Sequence, residues 1–297
     1  MMKVDIHTHL WPCEETSKEL VNYFASRGID IERTLSADGL VASMKGVAEL
    51  AVIATLAPAG NTSNADLVHF HEYVMKHTRQ YPGKLMALCT IDPHNPRESL
   101  DYLADYIENK GFCGLKLHQN IQEFYPNDSA LFPIYAKMQE YGLPILFHTG
   151  GIGIAPFIDK YSNVEALEEV ACNFPSLPII MGHAGRGQYV DTASILRKHK
   201  NVYADISANF GKLAGSEHLI LSELVKTVKL WTGSVDKLLF GSDYPFYYGN
   251  PTLDLLERLP LQEPDFITQE DVRKIAEENA YAFLHKHILD NPRFTQN

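Results

Sequence analysis

The chain has 297 residues, 45% of them hydrophobic, and a formal net charge of −11 at pH 7; this suits one α/β domain, 1–297, with a sizeable core. The acidic balance argues against nucleic acid or an anionic membrane as the main partner, since phosphate neutralisation needs a basic surface, but it leaves room for an anionic small molecule in a local pocket. No run is long and apolar enough to span a membrane, no leader precedes the first apparent strand, and the four Cys lack a C-x-x-C pair, which together read as a cytoplasmic protein with free thiols.

In chain order, a first strand is expected at Lys3–Ile6, and His7-Thr8-His9 follows it directly. Residues two apart on a strand share a face, so both imidazoles aim at one point. The other His-x-His pairs, His69/His71 and His285/His287, fall in helical patterns, where such positions diverge; with His77, His199 and His218 they read as surface or structural. Residues Trp11–Val47 interrupt the rhythm as a long insertion of helix and loop that caps the molecule's mouth. Further strands are expected at Leu50–Thr55, Lys84–Ile91, Gly114–His118, Pro144–His148, Pro178–Gly182, Asn201–Ile206 and Lys237–Gly241. Helical patterns separate them at Asn64–Arg79, Pro96–Asn109, Ala130–Tyr141, Val164–Asn173, Tyr189–His199 and Glu217–Trp231. Runs such as Leu143-Pro144-Ile145-Leu146-Phe147 are continuously apolar, as parallel strands buried on both faces require. Eight strands alternating with helices point to a (β/α)₈ TIM barrel rather than an open doubly wound sheet. A last helix spans Thr268–His287, opened by Thr268 and Asp271 as a capping pair, and Asp290–Asn297 reads as a frayed polar tail.

Barrel enzymes build their sites at the carboxyl ends of the strands. There the chain places His7 and His9 after strand one, Lys116 and His118 at strand four, His148 at strand five, His183 after strand six and Asp243 after strand eight. Three imidazoles and a carboxylate suit Zn²⁺, with Mn²⁺ or Fe²⁺ as alternatives, and such a metal activates water for hydrolysis. Asp243 is placed to take the proton of that water, and His183 to act as a nearby acid/base. Arg186 is read equally as an anion-binding residue or a salt-bridge partner. Trp11, Cys13, Tyr247 and Tyr248 are read equally as pocket lining or packing.

His7-Thr8-His9, Gly114-Leu115-Lys116-Leu117-His118, Phe147-His148-Thr149-Gly150, Gly182-His183-Ala184-Gly185-Arg186 and Phe240-Gly241-Ser242-Asp243-Tyr244-Pro245 resemble, in this order, the motifs of the amidohydrolase superfamily. The chain is most similar to the branch related to aminocarboxymuconate-semialdehyde decarboxylase. The resemblance runs from residue 3 to about 285. It implies a distorted (β/α)₈ barrel with an insertion after strand one and a single divalent metal held by His7, His9, His148 and Asp243. It also implies His183 as the catalytic histidine. In other superfamily members a strand-four lysine is carbamylated and bridges two metals. A carbamylated Lys116 would place a second metal on His148 and His183; the rival role for Lys116, with His118, is to hold a substrate carboxylate.

The expected function is hydrolysis of a small, carboxylate-bearing amide, ester or lactone by metal-activated water. Its alternative is non-oxidative decarboxylation on the same scaffold, and a metal-binding protein without turnover comes third. A homodimer is the default assembly for a barrel of this size.

Overall fold

The computed structural model describes residues 2–60, 62–153 and 157–294. Eight parallel strands follow one another: β1 (Val4–Thr8), β2 (Leu50–Ala54), β3 (Leu85–Leu88), β4 (Leu115–Leu117), β5 (Ile145–His148), β6 (Ile179–Gly182), β7 (Val202–Asp205) and β8 (Leu238–Leu239). Each lies within an expected strand or shifts by a residue or two, because burial on both faces leaves a plain apolar signature. Strands β1–β3 form one hydrogen-bonded run and β4–β8 another.

Two seams close these runs into a barrel. Between β3 and β4, Cys89 N donates to Gly114 O at 2.9 Å and Lys116 N to Cys89 O at 2.7 Å. Between β8 and β1, Ile6 N donates to Phe240 O at 3.0 Å and Asp243 N to His7 O at 2.8 Å. Asp5 adds a side-chain tie here, since its Oδ1 accepts from Ser242 N at 2.9 Å. The second seam runs mainly beyond the two residues of β8, and that irregularity is the barrel's distortion. Its consequence is local: the loop carrying Asp243 is sewn directly to the strand carrying His7.

Helices cover the outside. The insertion contributes α1 (Lys18–Ala25), α2 (Ile31–Thr34) and α3 (Ala37–Ser43). After β2 come α4 (Asn64–Gln80), α5 (Pro96–Asp105), α6 (Gln119–Gln122), α7 (Phe132–Tyr141), α8 (Val164–Asn173), α9 (Tyr189–Lys198) and α10 (His218–Thr232). After β8 come α11 (Gly249–Gln262), α12 (Gln269–Arg273) and α13 (Asn279–Leu284). Helix α8 shows the general rule: Val164, Leu167, Val170 and Ala171 form its buried stripe, the spacing an amphipathic helix needs against a sheet. The expected cap at Thr268 is present, its hydroxyl accepting from Asp271 N while Asp271 accepts from Thr268 N. Helix α11 was not among the expected helices, and it contains two prolines. Pro251 falls in the first turn, where no N–H is needed, and Pro260 sits near the last. Of the expected polar tail, residues 295–297 lie outside the described residues. Among the described residues no helix is long and apolar enough to cross a membrane.

Two apolar clusters result. The larger unites the barrel interior, the inner helix faces and, from α3 and the turn after it, Ala37, Leu40, Met44 and Val47. The smaller joins Trp11, Phe24, Leu35, Leu56 and Phe70, with Tyr23 and Phe246 packed on it. It sits over the carboxyl ends of the strands as the underside of the insertion.

Candidate active site

His7 is fully buried on β1, and glycines make the room for it. A Cβ on Gly182 would come within 3.1 Å of its Cε1, and one on Gly241 within 3.0 Å of its Cβ. The glycines of the Gly182-His183 and Gly241-Ser242-Asp243 motifs thus act on a residue of the first strand. His7 Nδ1 lies 2.9 Å from Asp205 Oδ2 at the end of β7. A carboxylate accepts, so Nδ1 carries the hydrogen and Nε2 keeps its lone pair.

His9 follows the same logic. Its Nδ1 donates to Ala54 O at 2.6 Å, which again leaves Nε2 as a lone pair, and that atom faces Asp243 Oδ1 at 3.1 Å. Asp243 Oδ1 is also 4.0 Å from His7 Nε2. Two imidazole lone pairs and a carboxylate oxygen therefore converge with no hydrogen among them. Such a set repels itself unless a cation lies at its centre, so these residues fit a divalent metal. Lys116 lies beside them, its Nζ 3.3 Å from His7 Nε2.

His183 is held in the same way. Its Nδ1 donates to Ser207 Oγ at 2.8 Å, and that hydroxyl donates in turn to Asp205 Oδ1. Asp205 Oδ1 also accepts from His183 N at 3.1 Å and Ser207 N at 3.0 Å. Burial opposes the charge on Asp205, yet His7 and these hydrogen bonds outweigh it and hold the carboxyl below its usual range. One carboxylate thus sets the tautomer of both His7 and His183. Single donor atoms of His7, His183 and Asp243 lie within 4.8 Å of one another.

His148, on β5, joins the cluster with its ring 4.8 Å from that of His183. Its Nε2 donates to Gly150 O at 3.1 Å, and its ring stacks on His118 at 3.8 Å. His118 accepts from Ile121 N through Nδ1 at the start of α6, so its Nε2 carries the hydrogen. Burial pushes His118, His148 and His183 well below the ordinary imidazole range and takes His9 down to about 4. The Lys116 ammonium is brought down to about 8 by burial, against the pull of Asp205 and Asp243.

All seven expected site residues thus lie at the carboxyl end of the barrel, but His148, expected as the fourth metal ligand, turns its Nε2 to Gly150 O and stands beside the converging His7, His9 and Asp243. All but the deeper His7 line a cavity of about 320 Å³. Its mouth is aromatic: Trp11, Tyr23, Phe70, Phe157, Phe246 and Tyr247 line it. Trp11 both lines the cavity and packs, stacking on Phe246 at 5.8 Å. Cys13 packs against the smaller apolar cluster, and Tyr248 stands edge-on to Tyr244. Arg186 also lines the cavity, and its guanidinium donates to main-chain oxygens rather than to an acid. Asp205 and Ser207 went unread in the sequence, although Asp205 ends β7 at the same depth as the other polar residues.

A model of the amidohydrolase family (Amidohydro_2) matches residues 4–286, and the chain belongs to that family. Among solved structures, the barrel is similar to the 2,6-dihydroxybenzoate decarboxylase from Rhizobium, with a TM-score of 0.72 and 16% identity over 95% of this chain and 98% of that one. It is similar also to a dihydroxybenzoic acid decarboxylase from Polaromonas sp. JS666 with bound manganese and the inhibitor 2-nitroresorcinol. There the TM-score is 0.73 and the identity 16%, over 100% and 99% of the two chains. An uncharacterised TIM-barrel protein from Bordetella bronchiseptica matches with a TM-score of 0.69 and 20% identity over 96% and 99%. At these identities the likeness carries the fold: a distorted (β/α)₈ barrel.

Proposed function

We propose that the protein is a metal-dependent, non-oxidative decarboxylase of a small planar acid. The observation that carries this is the cavity itself, a floor of imidazoles, Lys116 and Asp243 under a mouth of six aromatic side chains. A flat ring with an acid and a neighbouring hydroxyl fits that division of polarity. The dihydroxybenzoate decarboxylases on the same fold support the choice, and move it ahead of the hydrolase put first from sequence. A single divalent cation would be held by His7, His9 and Asp243, with His148 and His183 adjacent, and the manganese in a related structure supports Mn²⁺ alongside Zn²⁺. When bound, it supplies positive charge that holds substrate oxygens and stabilises the charge developing in the ring.

The protein's own groups do the rest. His183, neutral and oriented by Ser207, takes the hydrogen of the substrate hydroxyl on Nε2. His118 donates its Nε2 hydrogen to a substrate oxygen, and Lys116 supports the same end. As the bond between the ring and the carboxylate carbon breaks, CO₂ leaves and its electron pair stays on the ring carbon. Asp243, a carboxylate at rest, relays to that carbon the proton that His183 took from the hydroxyl, and one solvent proton restores the hydroxyl of the product.

Hydrolysis would use the same floor, and isotopes separate the two. A panel of phenolic and unsaturated acids, lactones and amides is assayed in H₂¹⁸O and in D₂O. The expected result is CO₂ from acids, one deuterium on carbon and no ¹⁸O in the product. Turnover of lactones or amides with ¹⁸O incorporated and no CO₂ released would overturn the proposal.

A further inference from the structure

Arg186 enters the cavity on a backbone that glycine would ordinarily occupy. His183, Ala184 and Arg186 have φ of 64°, 47° and 36°, a left-handed run that costs non-glycine residues conformational energy and persists where surroundings over-determine it. Gly150 gives way to it, since a Cβ there would lie 2.6 Å from Arg186 Cβ. Among the described residues the guanidinium has two hydrogen-bond acceptors, Gly151 O at 2.8 Å and Ile152 O at 3.4 Å, both met by Nη1. Its Nε is buried without a partner. Neither acceptor is charged, so no hydrogen-bonded acid among the described residues offsets the guanidinium. A buried donor left unpaired is unfavourable, more so when the group is charged, and an arginine fork matches a carboxylate.

We propose that Arg186 is an anion subsite that takes a second carboxylate of the substrate, one that does not react, so that the substrate is a planar dicarboxylic acid. This rests on the decarboxylase reading for one step of the argument. The scissile carboxylate loses its charge as CO₂ departs. A guanidinium clamped on it would bind the ground state better than the transition state and slow the reaction. A spectator carboxylate keeps its charge throughout, and gripping it lowers KM without opposing turnover. The imidazole and Lys116 floor serves the reacting carboxylate, and Arg186, on the loop after β6 and lining the same cavity, is left for the one that does not react.

The test is calorimetric binding of two unreactive probes, isophthalate and benzoate, to the Mn²⁺-loaded protein, the wild type beside Arg186→Met and Arg186→Lys. The wild type is expected to bind isophthalate about 100-fold more tightly than benzoate, as a charge-assisted bidentate contact implies. Arg186→Met should reduce that ratio to within about 3-fold, mainly by weakening isophthalate, and Arg186→Lys, which keeps charge but not the fork, should fall to about 10-fold. Equal affinity for the two probes in the wild type overturns the inference, as does a ratio that survives in Arg186→Met. Should Arg186→Met fail to fold for want of its bonds to the Gly151 and Ile152 carbonyls, a wild-type ratio in Arg186→Lys overturns it. Neither probe has to react, so the ratio reads the subsite even where the isotope experiment goes against decarboxylation. Efficient decarboxylation of monoacids alone would sink the inference and leave the decarboxylase standing.

Discussion

At the scale of single residues, Asp205 is the most connected group of the site and touches nothing that reacts. It accepts from His7 Nδ1, from Ser207 Oγ and from two backbone amides, and through these it presents the lone pairs of His7 and His183. Partners of this kind typically change metal affinity 10–100-fold when removed. Asp205→Asn keeps the volume but brings hydrogens to a place where every neighbour is already a donor. The expected outcome is a folded protein whose Mn²⁺ dissociation constant, read by titration calorimetry, rises by about 10–100-fold. An unchanged constant would show that His7 holds its tautomer without help. Asp205 was hard to read in the sequence because Val202-Tyr203-Ala204-Asp205 alternates like a half-exposed strand. The four donors that justify its burial come from β1, from the loop after β6 and from the residues just after β7.

At the scale of elements, the insertion divides into two parts with different anchors. Helix α3 belongs to the barrel core through Ala37 and Leu40, and the stretch before it is tied by Tyr244 Oη to Thr34 O and by Tyr73 Oη to Leu35 O, each at 2.7 Å. Helix α1 rests on the smaller cluster through Phe24, which stacks on Phe246 at 5.7 Å. Arg27, just after α1, adds a bond from Nη1 to Phe246 O at 2.9 Å. Burying a phenylalanine is worth about 3–5 kcal/mol against alanine. In Phe24→Ala that loss should fall on α1 alone, because its cluster is separate from the barrel's. Hydrogen exchange is expected to speed up across Lys18–Ala25 while Ala37–Ser43 and the strands keep their protection, and KM should rise as the aromatic mouth loosens. Loss of protection throughout α3 would mean that the two parts open together. Sequence marked this segment only as an interruption of the strand–helix rhythm, since clusters made by Trp11, Phe70 and Phe246 join residues more than fifty positions apart.

At the scale of the molecule, the barrel was legible because its strands are apolar on both faces and its site residues recur at one depth. The seams were not, since β8 is two residues long and closure passes through Asp5, His7 and Asp243 rather than through a strand's apolar run. A further global property comes from a histidine outside the site. His71, on α4, is buried, and its Nε2 accepts from Thr90 N at 2.9 Å beyond β3. Burial pushes its imidazole down to about 3, so the folded protein keeps it neutral while the unfolded chain protonates it near pH 6.5. Between those two values the unfolded state binds the extra proton, so stability falls as pH falls, by up to about 1.4 kcal/mol per pH unit for this one group. Above pH 7 the group adds no slope. His71→Gln offers Thr90 N an amide oxygen that cannot titrate. The variant should be less stable than wild type at pH 7.5, from imperfect packing, yet its urea-derived stability should decline less steeply between pH 6 and pH 4.5. Parallel declines for the two proteins would place the acid sensitivity elsewhere, in the imidazoles of the active-site floor.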